Sequence, residues 1–368
     1  MSNKIVDSIK DAIEEKFYFG PKGIVGIDIG LSAIKMCEVT GSPGKYKIAN
    51  YVSVDLPEGT IIEDEIQNED TLLEILTNAY KELGTSSRFI CLGLSGPNTI
   101  LKRLQLAGGS DQDVEDQVIW EAEQYLPFPV DEGNVAYSVI GENQGGGVDV
   151  MVGAAKKSVV LNFKEIIEKV ANVKVKIVDH SAAAMINVLE ATLGQDVMAR
   201  GKTWIIMDLG AQKTNFIIYK NGVVVFFKEI NIGGLTITEE IQRQMGVNYQ
   251  EAESLKIQGD GSGNIPVEIE EIIRQVLDTF FGELKKTIDF WISSTSEESF
   301  DGCVVTGGSV RISGFVDSLQ ELLGADVQVL NPFDTFDWNE KKIGDEQKEE
   351  IAARGAVAIG LAMRTLPK

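Results

Sequence analysis

Two short segments of the sequence each close an apolar run with the pattern Asp-x-Gly. The first spans residues 25–30 and the second spans residues 205–210, 180 residues later. Glycine has no Cβ, so the backbone can approach a phosphate oxygen, and the amides that follow can donate to it. Mg²⁺ keeps several waters and needs few direct ligands, so aspartates would hold it mostly through water. The pattern therefore predicts a site for a nucleotide phosphate chain with Mg²⁺.

One Asp-x-Gly turn alone is also typical of a tight turn that simply follows a strand. Two copies in matching strand contexts favour the binding interpretation. Asp28 and Asp208 are the predicted Mg²⁺ ligands. The predicted phosphate-binding residues are Gly30, Leu31, Ser32, Ala33 and Lys35 in the first copy, and Gly210, Ala211, Gln212, Lys213 and Thr214 in the second.

A third glycine segment follows a short apolar run near the end of the sequence. Residues 303–306 predict a buried strand, and Gly307 and Gly308 come directly after it. Two adjacent glycines permit a flat base or a ribose to lie against the backbone. A plain strand-to-helix turn is the alternative interpretation of this segment.

Charge and composition exclude several classes of function. The formal net charge is −22, which disfavours nucleic acid and an anionic membrane surface as partners, because an acidic protein repels their phosphates. Direct membrane insertion is not expected either. The three cysteines form no CxxC pair and the sequence has one histidine, His180, so disulfides, a zinc site and a Ser-His-Asp triad are not expected. The sequence has no signal peptide and no run of 18 apolar residues, so we expect a cytoplasmic protein.

The strand and helix pattern is duplicated around the two Asp-x-Gly segments. Each segment is followed by two further strands and then by helices, which predicts an α/β fold with two related lobes around a nucleotide cleft. A smaller unit with the order strand, helix, strand, strand is inserted between them. The predicted divisions are an N-terminal amphipathic helix (1–22), the first lobe (23–87, with a crossing helix at 178–200), the inserted domain (88–177), the second lobe (201–345) and a C-terminal crossing helix (346–368).

These glycine segments resemble the two phosphate loops and the adenosine loop of the actin-like ATPases, which include actin, the heat-shock chaperone ATPases, FtsA and PilM. Glu253 and Lys256 resemble the Glu-x-x-Lys helix of that superfamily, although such spacing more often marks a solvated salt bridge. The small-residue segments 181–184 and 355–362 resemble its two crossing helices. The resemblance implies ATP as the ligand, with ribose and adenine near Glu253, Lys256, Gly307, Gly308, Ser309 and Arg311.

The inserted unit and residues 120–129, 307–315 and 359–364 resemble the PilM family in particular, over about residues 23–364. This resemblance implies a scaffold of the type IV pilus inner-membrane platform that binds ATP and Mg²⁺ and acts in pilus assembly and twitching motility. The implied partners are the cytoplasmic N-terminal peptide of a PilN-like membrane protein and the pilus motor ATPases, with self-association as a further contact. The chain would then lie at the inner membrane through its partners.

Catalytic residues stay unassigned, with Asp28, Asp208 and Asp179 as the candidates. PilM relatives often carry an acidic residue two positions after Asp179, where this sequence has Ser181. If that carboxylate positions a water or the metal, the chain is at most a slow ATPase.

Two other functions stay open. An FtsA-like filament-forming ATPase usually carries a C-terminal amphipathic membrane helix, which is not present before the final residue, Lys368. A small-molecule kinase of the same fold needs a carboxylate base beside the acceptor hydroxyl. Residues 31–36 offer only Ser32 and Lys35 as polar side chains, and the inserted unit lacks a polar cluster suited to a sugar.

Overall fold

The computed structural model describes residues 23–62, 65–143, 145–170, 172–259, 264–295 and 299–365. The amphipathic helix predicted for residues 1–22 lies outside this part of the chain. The strands are β1 (Ile24–Ile29), β2 (Ala33–Ser42), β3 (Lys45–Asp55), β4 (Ile61–Ile62), β5 (Glu65–Ile66), β6 (Phe89–Leu94), β7 (Thr99–Leu106), β8 (Gly133–Glu142), β9 (Val148–Lys156), β10 (Lys174–His180), β11 (Thr203–Leu209), β12 (Thr214–Lys220), β13 (Val223–Ile230), β14 (Gly302–Thr306), β15 (Val327–Val329) and β16 (Asp337–Trp338). The helices are α1 (Glu69–Leu83), α2 (Asp111–Ala122), α3 (Lys157–Glu168), α4 (Ser181–Val197), α5 (Gly234–Met245), α6 (Tyr249–Gln258), α7 (Val267–Ser294), α8 (Phe315–Leu323), α9 (Asp345–Arg354) and α10 (Ala356–Ala362).

Two sheets with the same internal arrangement form the two lobes. The strand order is β10-β6-β1-β2-β3-β16 in the first lobe and β13-β12-β11-β14-β15 in the second. In each lobe the strand that carries the Asp-x-Gly pattern is antiparallel to the next strand and parallel to a later one. Asp28 pairs with Lys35 across β1 and β2, and Asp208 pairs with Asn215 across β11 and β12. The predicted duplication is therefore confirmed.

Helices cover both sheets and complete the core of each lobe. α1 begins after Asn68, whose side chain caps the helix, and ends at Gly84 in the left-handed conformation. Leu72 and Leu76 of α1 are fully buried in the first lobe, and Phe280 of α7 is buried in the second. Burial of each such side chain contributes about 1.5–3 kcal/mol. The packed sheets therefore hold the two Asp-x-Gly turns at the ends of β1 and β11 in fixed positions.

The inserted domain is a three-stranded antiparallel sheet, β7-β9-β8, with α2 packed on it. Its predicted order of strand, helix, strand, strand is confirmed, but the boundaries 88–177 are wrong. β6 and β10 lie in the first-lobe sheet, where β6 pairs with both β1 and β10. All of β6 is buried, as is usual for an inner parallel strand. The strand that opens the insert is β7, whose pattern is obscured in the sequence by Lys102 and Arg103.

The end of the chain also differs from the prediction. The expected crossing helix at 346–368 is two helices, α9 and α10, which meet at Gly355. A Cβ at Gly355 would lie 2.6 Å from the Ile351 carbonyl oxygen, so glycine permits the tight junction. α10 crosses α4 closely, and a Cβ at Gly360 would collide with the Ala184 carbonyl. The small residues of these two helices are therefore needed for their crossing.

The predicted limit of the second lobe at residue 345 is also wrong. β16 pairs with β3 of the first lobe, so the chain returns to the first lobe before α9 begins. Lys342 holds this return by donating to Asn50 Oδ1 at 2.6 Å. This pairing joins residues almost 300 positions apart, which no local pattern reveals.

Candidate functional site

Both Asp-x-Gly turns open into one cavity between the lobes. The cavity has a volume of about 520 Å³, within the usual range for a small-molecule site. Asp28 and Asp208 both line it. The predicted site residues that line the cavity are Asp28, Gly30, Leu31, Ser32, Lys35, Asp208, Gly210, Ala211, Gln212, Lys213, Glu253, Lys256, Gly307, Gly308, Ser309 and Arg311.

Three predicted residues do not line the cavity. Ala33 and Thr214 are buried below the turns, and Thr214 Oγ1 donates to the Ile232 carbonyl at 2.9 Å. Asp179 Oδ2 accepts a hydrogen bond from Arg364 Nε at 2.6 Å. The expected phosphate contacts of Ala33 and Thr214, and a catalytic contact of Asp179, are therefore not supported by their positions.

The two turns have the same backbone geometry. Gly30 N donates to the Ala33 carbonyl at 3.0 Å, and Gly210 N donates to the Lys213 carbonyl at 3.0 Å. A Cβ at Gly210 would lie 2.9 Å from the Lys213 carbonyl oxygen, so the second turn has little room for another residue. Each lobe thus presents a tight glycine turn to the same cavity.

The aspartates differ in their partners. Asp28 Oδ2 forms an ion pair with Lys35 Nζ at 2.8 Å, whereas the hydrogen bond that Asp208 Oδ2 accepts from Asn215 Nδ2 is long, at 3.4 Å. Burial first, and then the charge of Asp28, raise the pKa of Asp208 from 3.8 to about 6, against the lowering effect of Lys35, Asn215 and Lys213. A divalent cation would stabilise the ionised form of Asp208, because it would supply the positive counter-charge that Lys35 supplies to Asp28.

Two further oxygens beside Asp208 have no partner among the described residues. Asn215 Oδ1 and Thr306 Oγ1 are buried, line the cavity and lack a hydrogen bond there. Asn215 and Thr306 lie opposite Asp208 on the two neighbouring strands. Hard oxygen donors of this kind suit a hydrated Mg²⁺, so the residues fit that ion. The sequence analysis did not predict Asn215. It could have been found by its position, because Asn215 follows Asp208 by seven residues, as Lys35 follows Asp28.

Lys256 and Glu253 form a pair inside the cavity rather than a solvated salt bridge. Lys256 Nζ lies 2.7 Å from Glu253 Oε2 and also donates to Thr238 Oγ1 at 2.9 Å and to the Gly234 carbonyl at 3.1 Å. The Lys256 side chain is only 10% exposed. These contacts fix the pair against α5, so Glu253 presents its carboxylate to the cavity from a rigid position.

The two glycines after β14 have different roles. Gly307 has φ +101° and a Cβ there would collide with the Leu209 backbone, so Gly307 allows close packing on the second turn. Gly308 is exposed, and the nearest atom to a Cβ there is Arg354 Cδ at 3.9 Å. Open backbone surface for a ligand is therefore provided by Gly308, not by both glycines. Ser309 Oγ donates to the Gly210 carbonyl at 2.9 Å and joins the two loops.

His180 caps the first crossing helix, α4. Its Nδ1 accepts a hydrogen bond from Ala182 N at 3.2 Å. Burial, and then the charge of Lys213, lower the pKa of His180 to about 4, so the ring is neutral near pH 7. Ser181 follows it and lines the cavity.

The charge of the cavity lining is close to balanced although the chain as a whole is strongly acidic. The net charge is −22 over the sequence, whereas the cavity lining carries more basic than acidic side chains. The charged residues that line it are Lys35, Lys213, Lys256, Arg311 and Arg354, with Asp28, Asp208, Glu253 and Glu350. The cavity therefore lacks the excess of negative charge that the rest of the chain would place against an anionic ligand.

The cavity also has apolar walls that the sequence analysis did not identify. One wall lies in the first lobe and the other in the second, near α6. Apolar lining residues absent from the predicted site include Ile29, Ile61, Leu94, Val159 and Phe163 in the first lobe and Leu235, Ile257, Ile265 and Ile312 in the second. Apart from Ile29 in the first Asp-x-Gly segment and Ile312 in segment 307–315, these residues lie outside the motifs, so only their packing around the cavity reveals them.

Comparisons with known proteins agree with this architecture. A sequence profile of the family described as type IV pilus assembly protein PilM matches residues 26–366. A solved structure of a PilM–PilN type IV pilus biogenesis complex is similar to this chain with a TM-score of 0.83 and 27% identity, covering 95% of this chain and 100% of that one. The actin-like ATPase fold expected from the sequence is confirmed.

Two other matches are more distant. The ethanolamine utilization protein EutJ from Carboxydothermus hydrogenoformans is 15% identical, with a TM-score of 0.53, over 93% of this chain and 90% of that one. Cell division protein FtsA of Enterococcus hirae is 26% identical over 150 residues, which is 35% of this chain and 33% of FtsA. The chain therefore spans about a third of the length of this curated relative. Among the helices that the structure describes, none has the length and apolar character needed to cross a membrane.

Proposed function

Because the chain belongs to the family of type IV pilus assembly protein PilM, we propose that it is an ATP-binding scaffold of the pilus assembly platform. In this proposal it docks the cytoplasmic N-terminal peptide of a PilN-like membrane protein and couples it to the pilus motor ATPases. The chain would reach the inner membrane through these partners.

One observation carries the proposed ATP site. Two turns of equal geometry, one from each lobe, face a single cavity of about 520 Å³. The amides after Gly30 and Gly210 would hold the phosphates from opposite sides. The ribose and base would then lie toward Glu253 and Gly308, where the backbone is open.

Mg²⁺ would bind at the phosphate end of the cavity. Asp208 would hold it mostly through water, with Asn215 Oδ1 and Thr306 Oγ1 as further acceptors for that water. Asp28 would contribute its charge from the other lobe while Lys35 balances it. When bound, Mg²⁺ neutralises phosphate charge, and the residues of the chain position it.

The proposal also includes slow hydrolysis of ATP. Asp179 is held by Arg364 and lies outside the cavity, and Ser181 lines the cavity at the position where relatives often carry an acid. No carboxylate at that position is available to orient an attacking water. ATP would therefore act mainly as a bound ligand that fixes the arrangement of the lobes.

Docking of a PilN-like peptide is supported by the similarity to a PilM–PilN complex over 95% of this chain. A binding assay with the first ten or so residues of a PilN-like protein tests it, since a short extended peptide can add to a sheet edge or a groove. Absence of binding both with and without ATP would contradict this part of the proposal.

Calorimetric titration with Mg·ATP tests the nucleotide site. Asp28→Ala and Asp208→Ala should each weaken binding roughly tenfold or more, because each removes a charge at the phosphate end. Asp278→Ala is the matched control, since Asp278 is exposed on α7. Unchanged affinity in both cavity variants would refute the assignment of the site.

A second candidate, filament formation of the FtsA type, is favoured by the 26% identity to FtsA over 150 residues. Sedimentation and electron microscopy with Mg·ATP would distinguish it, because a filament former pellets in a nucleotide-dependent manner. A kinase would instead consume ATP only when a small-molecule acceptor is added.

A further inference from the structure

β13 connects the second glycine turn with the inserted domain. Lys213, at the end of that turn, has Nζ 3.0 Å from Glu229 Oε1 on β13. Two positions earlier on β13, Phe227 packs edge-on against His180, with ring centroids 5.3 Å apart. β13 also packs against β7 of the insert, and Phe227 packs against the buried apolar cluster that contains Leu101 of β7. A displacement of β13 would therefore reach the inserted domain directly.

The ion pair at the start of this path is suited to exchange. The side chains of Lys213 and Glu229 are 17% and 22% exposed. Glu229 Oε1 is buried and accepts no hydrogen bond of regular geometry within the described ranges, so it depends on the charge of Lys213. Lys213 also lines the cavity, within reach of a ligand there.

We propose that Lys213 exchanges Glu229 for a phosphate oxygen of the bound nucleotide, and that this exchange transmits nucleotide occupancy through β13 to the inserted domain. The inference rests on the proposed ATP binding. A phosphate chain carries more negative charge than one carboxylate, so the ammonium gains energy by moving to it. Glu229 then lacks its counter-charge, and the strand that carries it changes its packing. The nucleotide would bind more tightly when Lys213 is released from Glu229 than when the two are paired. This difference in affinity couples the nucleotide site to the inserted domain.

The first test measures ATP affinity in a double-mutant cycle by calorimetry. Glu229→Gln removes the competitor for Lys213 and should tighten ATP binding about fivefold, whereas Lys213→Met should weaken it by about the same factor. When Lys213 is already Met, adding Glu229→Gln should not change ATP affinity, because the Lys213 ammonium that this substitution would release is absent.

Lys228→Met is the matched control for this cycle. Lys228 lies on the same strand, but its Nζ donates to Thr287 Oγ1 on α7 at 3.0 Å. Its loss should leave ATP affinity unchanged. Far-UV circular dichroism establishes that each variant is folded before its affinity is compared.

The second test measures amide hydrogen exchange with and without saturating Mg·ATP. In the wild type, ATP should change exchange in Thr99–Leu106 and in Val223–Ile230. In Lys213→Met the same saturation should leave Thr99–Leu106 unchanged, and in Lys228→Met the response should persist.

The outcomes separate this inference from the proposed function. Absence of ATP binding by the wild type would refute the proposed function and the inference together. ATP binding with equal affinity in the wild type and Glu229→Gln would overturn the inference alone. An exchange response of β7 that persists in Lys213→Met would also overturn it.

Discussion

Asp208 is the residue whose substitution tests the site most sharply. Its half-buried carboxylate lines the cavity, and desolvation first, then the charge of Asp28, raise its pKa from 3.8 to about 6. Asp208→Asn keeps the shape of the side chain and removes the charge. We expect this variant to stabilise the nucleotide-free protein at neutral pH while it weakens Mg·ATP binding.

The size and sign of the stability change follow from proton linkage. Between pH 3.8 and about 6 the folded protein retains a proton that the unfolded chain has released. The free energy of unfolding therefore falls as pH rises through this window, and the full penalty is present above it. A pKa difference between 3.8 and about 6 corresponds to about 3 kcal/mol. Asp208→Asn should recover up to that amount near pH 7.5 and little of it near pH 4.

Urea denaturation at both pH values measures this change. Asp28→Asn is the matched control, because Asp28 is paired with Lys35, whose side chain is only 14% exposed. Removal of Asp28 leaves that lysine without its partner, so this variant should lose about 1–3 kcal/mol at neutral pH. Destabilisation by Asp208→Asn near pH 7.5, or an equal gain at both pH values, would refute the argument from burial.

Three other predictions concern the glycines and turnover. Gly307→Ala should lower the melting temperature, because its φ is +101° and its Cβ would collide with β11, whereas Gly308→Ala should not; equal thermal denaturation of both variants would contradict this. Gly360→Val should disrupt the packing of α10 on α4 and lower stability in urea, while Gly282→Val, which has open space on α7, is the control, and equal losses would argue against the helix crossing. Phosphate release by the isolated protein should stay below about 1 per second, since Ser181 supplies no carboxylate; a faster rate in a phosphate assay would contradict it.

Local patterns in the sequence were sufficient for the two turns and for the duplication. An apolar strand that ends in Asp-x-Gly is a short-range feature, since strand burial, the glycine turn and the aspartate all lie within a few residues. Both copies therefore predicted their strands and their orientation toward a shared cleft. The small residues of the crossing segments likewise predicted close helix contact, because the absence of side-chain bulk is visible in the sequence.

Features that depend on residues distant in sequence required the tertiary structure. The boundaries of the insert depend on whether β6 pairs with β1 or with β7. Strand pairing between distant segments cannot be predicted from the local sequence pattern. The return of β16 to the first lobe is of the same kind.

For the same reason, the sequence predicts which residue types lie at the site but not which partners they contact. The sequence by itself determined that Asp28 and Asp208 lie near the ends of equivalent strands. Only the folded chain decided that Asp28 is paired with Lys35 while Asp208 faces Asn215, and that Lys213 contacts Glu229. Charge state and partner choice depend on burial and on distances between separate strands, and these arise only when the strands pack together.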